Sequence, residues 1–258
     1  GPPQCAGLDA HELLASGRAG PGRTPIVGGV ASAGFHPGGN RLIHDSEVHS
    51  SGAVAVLIPP GAVGVSTIVS QGCRPIGDPF TVTRADRNLV LEIAGRPAYA
   101  RLVELLESLP GEDRELARQG LHLGRVIDDH KLDFERGDFL VRNLAGADRA
   151  SGAVAVNDVV DVGATVQFQV RDADAADDDL RALLTGRHAD AALLFTCNGR
   201  GMSLFGRPDH DAEVVTDYLD RPPLAGMFCA GEIGPVGGQS FLHGFTASLA
   251  LFHDLPTS

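Results

Sequence analysis

Leu193-Leu-Phe-Thr-Cys-Asn-Gly-Arg-Gly201 is the stretch that best indicates how this chain folds. Its first residues continue an apolar run from residue 191, and a short apolar run bounded by turn residues is typical of a buried β-strand. Asn-Gly and the second glycine predict that the strand ends in a tight turn, because glycine readily adopts a positive φ. We therefore predict a core strand followed by a glycine-rich turn.

Helices are predicted on both sides of this strand in the sequence. One runs from Pro97 to about Leu109, since its leucines recur at helical spacing and proline is favoured in a first helical turn. Others are expected over residues 172–184 and 211–219. Short apolar runs predict strands at residues 26–30, 54–58, 63–69, 139–144, 154–160, 164–170, 226–230 and 245–252. The expected fold class is α/β (α+β), with β-sheets of mixed or antiparallel strands flanked by helices.

Two related lobes are expected, because a pattern near the N-terminus recurs near the C-terminus. Residues 25–34 (PIVGGVASAG) resemble residues 223–231 (PLAGMFCAG), and each is followed by a glycine-rich turn, a histidine and an apolar run. The first copy lacks a counterpart of residues 191–201, so the chain is expected to begin inside its first domain. We predict a boundary near residues 110–135, giving domains 1–120 and 121–258.

Composition and charge argue against several function classes. The chain has 258 residues, 43% hydrophobic and 21% charged, with a formal net charge of −12. Nucleic acids and anionic membranes are bound by clustered Lys and Arg, so neither partner is expected. No apolar run reaches the roughly 18–20 residues of a membrane-spanning helix.

The cysteines favour a reducing compartment. Cys5, Cys73, Cys197 and Cys229 form no CxxC pair and have no histidine at zinc-finger spacing, so no metal is expected. Two disulfides remain compatible with the sequence, although the spacing does not resemble a dense secreted scaffold. With no recognisable signal peptide, a cytoplasmic location is expected.

The turn that follows the core strand is the first candidate for chemistry. Asn198, Gly199 and Gly201 would expose backbone N–H groups, which can form a concave anion-binding site. Arg200 could add a bidentate fork for a carboxylate or phosphate. The structural alternative is a tight turn whose arginine forms an ordinary salt bridge.

Glu232 belongs to a second glycine-rich segment, Phe228-Cys-Ala-Gly-Glu-Ile-Gly-Pro235, which is predicted to leave a strand in a turn. A carboxylate there could accept an ammonium group, or cap neighbouring amides. Arg200 and Glu232 together would suit a zwitterionic amino acid. A direct salt bridge between the two residues is the alternative.

Cys197 and His243 raise the question of nucleophilic catalysis, since a thiol requires a base to lower its effective pKa. A cysteine on an apolar strand is more often an inert buried thiol, and a histidine between aromatic residues is usually a core residue. Asp209-His-Asp211 contains metal-capable side chains but is expected to be a solvated loop. The usual nucleotide, hydrolase and zinc-protease motifs are absent from the sequence, so no cofactor is expected.

The sequence resembles the FIST family, the paired N- and C-terminal sensory domains of bacterial signalling proteins that also occur in a eukaryotic F-box protein. The resemblance covers nearly everything from about residue 25 onward. It is carried by residues 27–34 (VGGVASAG), 70–77 (SQGCRPIG), 88–97 (NLVLEIAGRP), 139–142 (FLVR), 166–172 (VQFQVRD), 194–201 (LFTCNGRG), 228–235 (FCAGEIGP) and 243–246 (HGFT).

This resemblance implies a non-enzymatic small-ligand sensor with paired α/β lobes, for which amino acids or their derivatives are the proposed ligands. It implies a C-type domain over residues 121–258 and the C-terminal part of an N-type domain over residues 1–120. The ligand-binding candidates lie in the C-terminal motifs: Cys197, Asn198, Gly199, Arg200, Gly201, Glu232 and His243.

The function predicted from the sequence is therefore a cytoplasmic sensor that binds a small ligand and acts on a signalling partner. Two alternatives remain at this point. One is a Cys–His enzyme, and the other is a protein-interaction module without a small ligand.

Overall fold

The chain folds into two compact units. The computed structural model describes residue 14, residues 24–34, residue 36, residues 38–131 and residues 133–255. The first unit combines residues 1–70 with residues 178–258, and the second comprises residues 71–177. The division predicted after residue 120 differs from this division into compact units. The predicted domains at residues 1–120 and 121–258 stay a prediction, because a domain defined along the sequence need not coincide with a compact unit.

The strands and helices have the following bounds. The strands are β1 (Gly28–Ala31), β2 (Leu42–His44), β3 (Glu47–His49), β4 (Gly64–Gln71), β5 (Cys73–Pro75), β6 (Phe80–Asp86), β7 (Leu89–Ile93), β8 (Arg96–Pro97), β9 (Leu121–Val126), β10 (Phe139–Asp148), β11 (Ala153–Val156), β12 (Thr165–Arg171), β13 (Ala191–Cys197), β14 (Leu224–Val236), β15 (Gln239–His243) and β16 (Thr246–His253). The helices are α1 (Ala98–Ser108), α2 (Gly111–Gln119), α3 (Ala173–Leu184), α4 (Met202–Phe205) and α5 (His210–Tyr218).

The sheet of the first unit contains the strand predicted from the opening motif. Its order is β1-β14-β13-β16-β4, and β15 pairs with β14. β13 is parallel to β14 and antiparallel to β16. A parallel pair requires a crossover connection, which here contains α4 and α5. This crossover places the turn after β13 and the start of α5 beside the same two strands.

The core of the first unit lies between this sheet and two helices. Leu180 and Leu184 of α3 and Val215 of α5 are fully buried, in one cluster with Leu249 and Leu251 of β16. Each such side chain contributes about 1.5–3 kcal/mol when it is removed from water. Leu194 of β13 belongs to the same cluster. The burial of Leu194 therefore fixes the position of β13, and with it the start of the turn after Cys197.

The second unit is built on an antiparallel sheet. Its order is β11-β10-β9-β12-β6-β7-β8, with β5 on β12. Leu102 of α1, Leu109 directly after α1 and Ala117 of α2 form a core with Phe168 and Val170 of β12. The α/β class with two lobes and with mixed and antiparallel sheets is confirmed.

Two local predictions differ from the structure. Residues 54–58 form no strand, and Val56 and Leu57 are 86% and 82% exposed. An apolar run becomes a strand only where another strand pairs with it, and no described strand does so here. Residues 111–119 form a helix, α2, that was not among the predicted helices. Acidic residues in the first turn of α2 and Arg118 in its last turn fit the helix dipole.

Candidate functional site

The site lies where β13 ends, and Cys197 is its last strand residue. Cys197 pairs in register with Cys229 of the parallel neighbour β14. The chain then turns, and Gly201 has φ +60° as it leads into α4. A positive φ favours glycine, because the Cβ of any other residue would clash with a backbone carbonyl oxygen. The predicted strand followed by a glycine-rich turn is therefore confirmed.

Arg200 is the buried cation of this turn, with 1% of its surface exposed. Its Nε donates to Asp211 Oδ2 at 2.7 Å, and its Nη2 donates to Asp211 Oδ1 at 2.9 Å. The guanidinium carbon also lies 5.2 Å from the centre of the Phe205 ring. The bidentate fork predicted for a ligand is thus occupied by Asp211, because the crossover brings the first turn of α5 to the end of β13.

Asp211 is the functional neighbour that sequence reasoning missed. The Asp209-His-Asp211 segment was expected to be a solvated loop, but His210 and Asp211 are buried in the first turn of α5. Burial alone would raise the pKa of Asp211, yet hydrogen bonds from His210 and Arg200, together with the Arg200 charge, hold it well below its usual range. The carboxylate therefore stays ionised at neutral pH. The signal in the sequence that could have identified Asp211 as a partner of Arg200 was its position ten residues after Gly201.

The turn amides bond within the turn itself. The Gly199 N–H donates to the Cys197 sulfur at 3.4 Å, and the Arg200 N–H donates to the Cys197 carbonyl at 2.8 Å. Ser203 donates its hydroxyl to the Gly199 carbonyl. Of the amides expected to form an anion-binding concavity, those of Gly199 and Asn198 are therefore already bonded, to the Cys197 sulfur and the Cys229 carbonyl.

Glu232 is the buried carboxylate of the site, with 0% of its surface exposed. It lies inside β14, where it pairs with Gly29 and His243, so the prediction that it occupies a turn is wrong. The glycines around it continue the strand because β1 and β15 pair with β14 on either side of this segment. Its Oε2 accepts hydrogen bonds from the Thr246 N–H at 3.2 Å and the Thr246 hydroxyl at 2.9 Å.

The pKa of Glu232 rises to about 7, chiefly because burial penalises the charged carboxylate. The Thr246 hydrogen bonds, the Cys197 thiol and the Arg200 charge act in the opposite direction. The carboxyl group is thus poised to gain or lose a proton near neutral pH.

Arg200 and Glu232 each retain one buried polar atom without a hydrogen-bond partner among the described residues: Arg200 Nη1 and Glu232 Oε1. The charge of Arg200 acts on Glu232, but no ion pair within the described part of the chain joins them. The salt bridge considered as an alternative is therefore replaced by the Arg200–Asp211 pair. A buried polar group without a partner costs roughly 1–3 kcal/mol.

Cys197 and His243 do not have the chemistry of an activated thiol and its base. Burial, followed by the nearby Glu232 carboxylate, raises the pKa of Cys197 to about 11. His243 ends β15, is buried, and donates its Nε2 proton to the Gly234 carbonyl at 2.9 Å. A nucleophilic cysteine requires the opposite environment, one that stabilises the thiolate.

Asn198 is the exposed member of the motif. Its side-chain oxygen accepts a hydrogen bond from the Ser32 hydroxyl, and its N–H donates to the Cys229 carbonyl at 2.9 Å. The same Ser32 hydroxyl lies 3.0 Å from the Phe228 carbonyl. Asn198 therefore links the turn to the segment that follows β1.

A cavity of about 230 Å³ adjoins the Arg200–Asp211 pair. It was not anticipated from the sequence, since its walls are brought together by the path of the crossover between β13 and β14. Its lining combines apolar side chains with Thr196 and the start of α5: Leu194, Thr196, Gly201, Asp209, His210, Asp211, Ala212, Leu224, Ala225, Gly226, Met227 and Phe228.

In the described part of the chain, no group of three or more His, Cys, Asp or Glu side chains is arranged to hold a metal ion. None of the helices there is long and apolar enough to cross a membrane.

Comparison with known proteins places the sequence in a family. The model of the FIST N domain matches residues 6–96, and that of the FIST C domain matches residues 97–235. The uncharacterized protein Rv0628c of Mycobacterium tuberculosis is 52% identical over 237 residues, and the uncharacterized protein Mb0898c of Mycobacterium bovis is 52% identical over 238. Each match covers 90% of this chain, which spans 61% of the length of each relative.

FIST domains generally act as small-ligand sensors in signalling proteins. The predicted resemblance is confirmed, and the first matched segment begins well before residue 25. The two matched segments meet between residues 96 and 97, and together they extend from residue 6 to residue 235. The chain belongs to the FIST family.

Proposed function

We propose that this chain is a cytoplasmic sensor domain that binds an amino acid or a close derivative at the Arg200–Glu232 site. The observation that carries the proposal is the pair of buried atoms without partners, one on a cation and one on a carboxylate. The site comprises the turn from Cys197 to Gly201 together with Glu232 and His243.

A zwitterionic ligand matches this pair of atoms. Its ammonium group would donate to Glu232 Oε1, and its carboxylate would accept from Arg200 Nη1. Each new hydrogen bond involves a charged group, a class that contributes roughly 1.5–3 kcal/mol. The Asp211 pair holds the guanidinium in place before the ligand arrives, which lowers the entropic cost of binding.

Binding would act by shifting a conformational equilibrium. Both atoms are enclosed, so a ligand enters only when the protein opens around Arg200 and Glu232. A ligand can shift the open and closed populations only by its difference in affinity for the two states. The signal would then pass to a protein partner that distinguishes them.

Two further observations support a non-enzymatic protein in a reducing compartment. The high pKa of Cys197 argues against a thiolate nucleophile. Cys73, Cys197 and Cys229 are all present as buried thiols.

A thermal-shift screen of the twenty amino acids and their N-acetyl and amide derivatives tests the proposal. An amino acid at one hundred times its Kd stabilises the folded state by about 2.7 kcal/mol. The Glu232→Gln variant preserves the shape of the side chain but removes the charge that receives the ammonium, so the shift should be lost. Glu47→Gln, on an exposed strand, should retain it.

Derivatives that block one end of the amino acid separate the two contacts. N-acetylation removes the ammonium, and amidation removes the carboxylate, so each should weaken binding. A panel in which no zwitterion raises the melting temperature, or in which Glu232→Gln responds as the wild type does, would overturn the proposal.

A further inference from the structure

Among the strands that the structure describes, the first half of β14 lies at an edge of the sheet. The Ala192 N–H donates to the Pro223 carbonyl, and the Asn198 N–H donates to the Cys229 carbonyl. In a parallel pair, alternate residues bond to the same neighbour, so Ala225 and Met227 also direct their backbone groups towards β13. The backbone groups of Leu224, Gly226 and Phe228 therefore point the other way.

On that outer side, β1 reaches only the second half of β14. Its pairing begins with Ala31 opposite Cys229 and continues to Gly28 opposite Ile233. The Ser32 hydroxyl lies 3.0 Å from the Phe228 carbonyl, but no described strand pairs with Leu224–Phe228 from outside. Unpaired groups along a strand edge are a template for another extended chain.

The cavity of about 230 Å³ runs along this same edge. Five consecutive residues of β14, from Leu224 to Phe228, line it. The rest of the lining includes Leu194 and Thr196 of β13 and the start of α5, so the cavity lies on the α5 face of the sheet beside this edge. A cavity of about 150 Å³ with apolar walls accommodates benzene, so this one has room for a leucine or phenylalanine side chain.

The opening of the cavity is apolar, and one exposed carboxylate, Asp209, belongs to its lining. Met227 and Phe228 are 41% and 45% exposed. Asp209 lines the cavity, is exposed, and has no ion-pair partner among the described residues. The nearby Arg207 is paired with Glu213. An incoming segment with a lysine or arginine would therefore meet a complementary charge.

We infer that the β14 edge, defined as residues 224–228 with the adjoining cavity, binds an extended segment of a partner protein. The segment adds a strand outside β14, places one leucine- or phenylalanine-sized side chain in the cavity, and carries a basic residue beside it. Such strand addition combines main-chain hydrogen bonds for affinity with a side-chain pocket for specificity. This surface adjoins the Arg200–Glu232 site, with which it shares Gly201, and would supply a point of contact for a signalling partner.

Amide hydrogen exchange tests whether the edge is open. The Ala225 and Met227 amides should be protected, because they bond to β13, whereas the Leu224, Gly226 and Phe228 amides should exchange rapidly. Equal protection of all five amides in the protein alone would show that the edge is already covered by its own chain or by a second copy. That result would overturn the proposal.

Selection from a phage library of random nine-residue peptides tests the partner. We expect the selected peptides to share one leucine or phenylalanine with a lysine or arginine nearby, and to protect the three outward amides. N-methylation at alternate residues should weaken binding about tenfold or more by removing strand hydrogen bonds. N-methylation at the intervening residues should have little effect.

Two substitutions on the same strand localise the contact. Phe228→Lys places a positive charge at the apolar opening where the basic segment would bind, and it should abolish peptide binding, while Ala230→Lys is also exposed but lies outside the lining and should not. Absence of any selected peptide, or equal binding to both variants, would overturn the proposal. Because Glu232→Gln should leave peptide binding intact, failure here is distinguishable from failure of the amino-acid site.

Discussion

Arg200 and Asp211 form a buried bidentate ion pair that fastens the end of β13 to the start of α5, with hydrogen bonds of 2.7 and 2.9 Å. The side chains are 0% and 4% exposed. Thr196 also donates its hydroxyl to the same carboxylate. The pair thus positions the cation of the candidate site and braces one wall of the neighbouring cavity.

Removing one member of this pair should be strongly destabilising. Asp211→Asn retains the shape of the side chain but leaves the Arg200 charge buried without its counter-ion, so we expect the free energy of unfolding to fall by about 3–5 kcal/mol. Urea denaturation would measure the loss. Arg207→Ala breaks an exposed ion pair with Glu213 and should cost about 1 kcal/mol or less. Losses of equal size in the two variants would contradict the structural role of the buried pair.

Glu232 should make the folded protein less stable as the pH rises towards neutrality. Its pKa is raised from 4.5 to about 7 on folding, so between these values the folded state retains a proton that the unfolded state releases. The stabilisation is complete below about pH 4.5 and is lost as the pH rises through about 7. The expected change is of the order of 3 kcal/mol.

Glu232→Gln isolates this contribution, since other groups also titrate over the same range. The difference in unfolding free energy between the wild type and the variant should vary with pH between about 4.5 and 7. A constant difference would show that Glu232 is ionised throughout this range in the folded state.

The sequence indicated the core strand and its turn, but not how the turn is held. Apolar runs and glycines act locally, which is why the end of β13 at Cys197 could be predicted. The partner of Arg200 depends on the path of the crossover between β13 and β14. The placement of Glu232 in a strand depends on which strands pair with its segment. In the sequence, Gly231 and Gly234 are typical of a turn, but pairing with β1 and β15 makes their segment part of a strand.

Gly29 should not tolerate a larger side chain, because β1 passes close to Cys229. A Cβ at residue 29 would lie 2.1 Å from the Cys229 sulfur. We expect Gly29→Ala to lower the free energy of unfolding by about 1–3 kcal/mol. Gly28→Ala is the matched control on the same strand, since its Cβ would have no atom within 4 Å. The double variant Gly29→Ala/Cys229→Ala removes the clashing sulfur and should regain part of the loss, and no recovery would contradict this explanation.

Cys197 and Cys229 should react slowly with thiol reagents in the folded protein. Burial is the main cause that raises their pKa values to about 11 and 12, and the Glu232 carboxylate adds to it. Alkylation requires the thiolate, so at pH 8 both cysteines should be modified far more slowly than glutathione. Mass spectrometry of iodoacetamide-treated protein would measure each rate, with urea-unfolded protein as the control. Rapid alkylation of Cys197 in the folded state would instead restore the case for a nucleophilic cysteine and count against the sensor proposal.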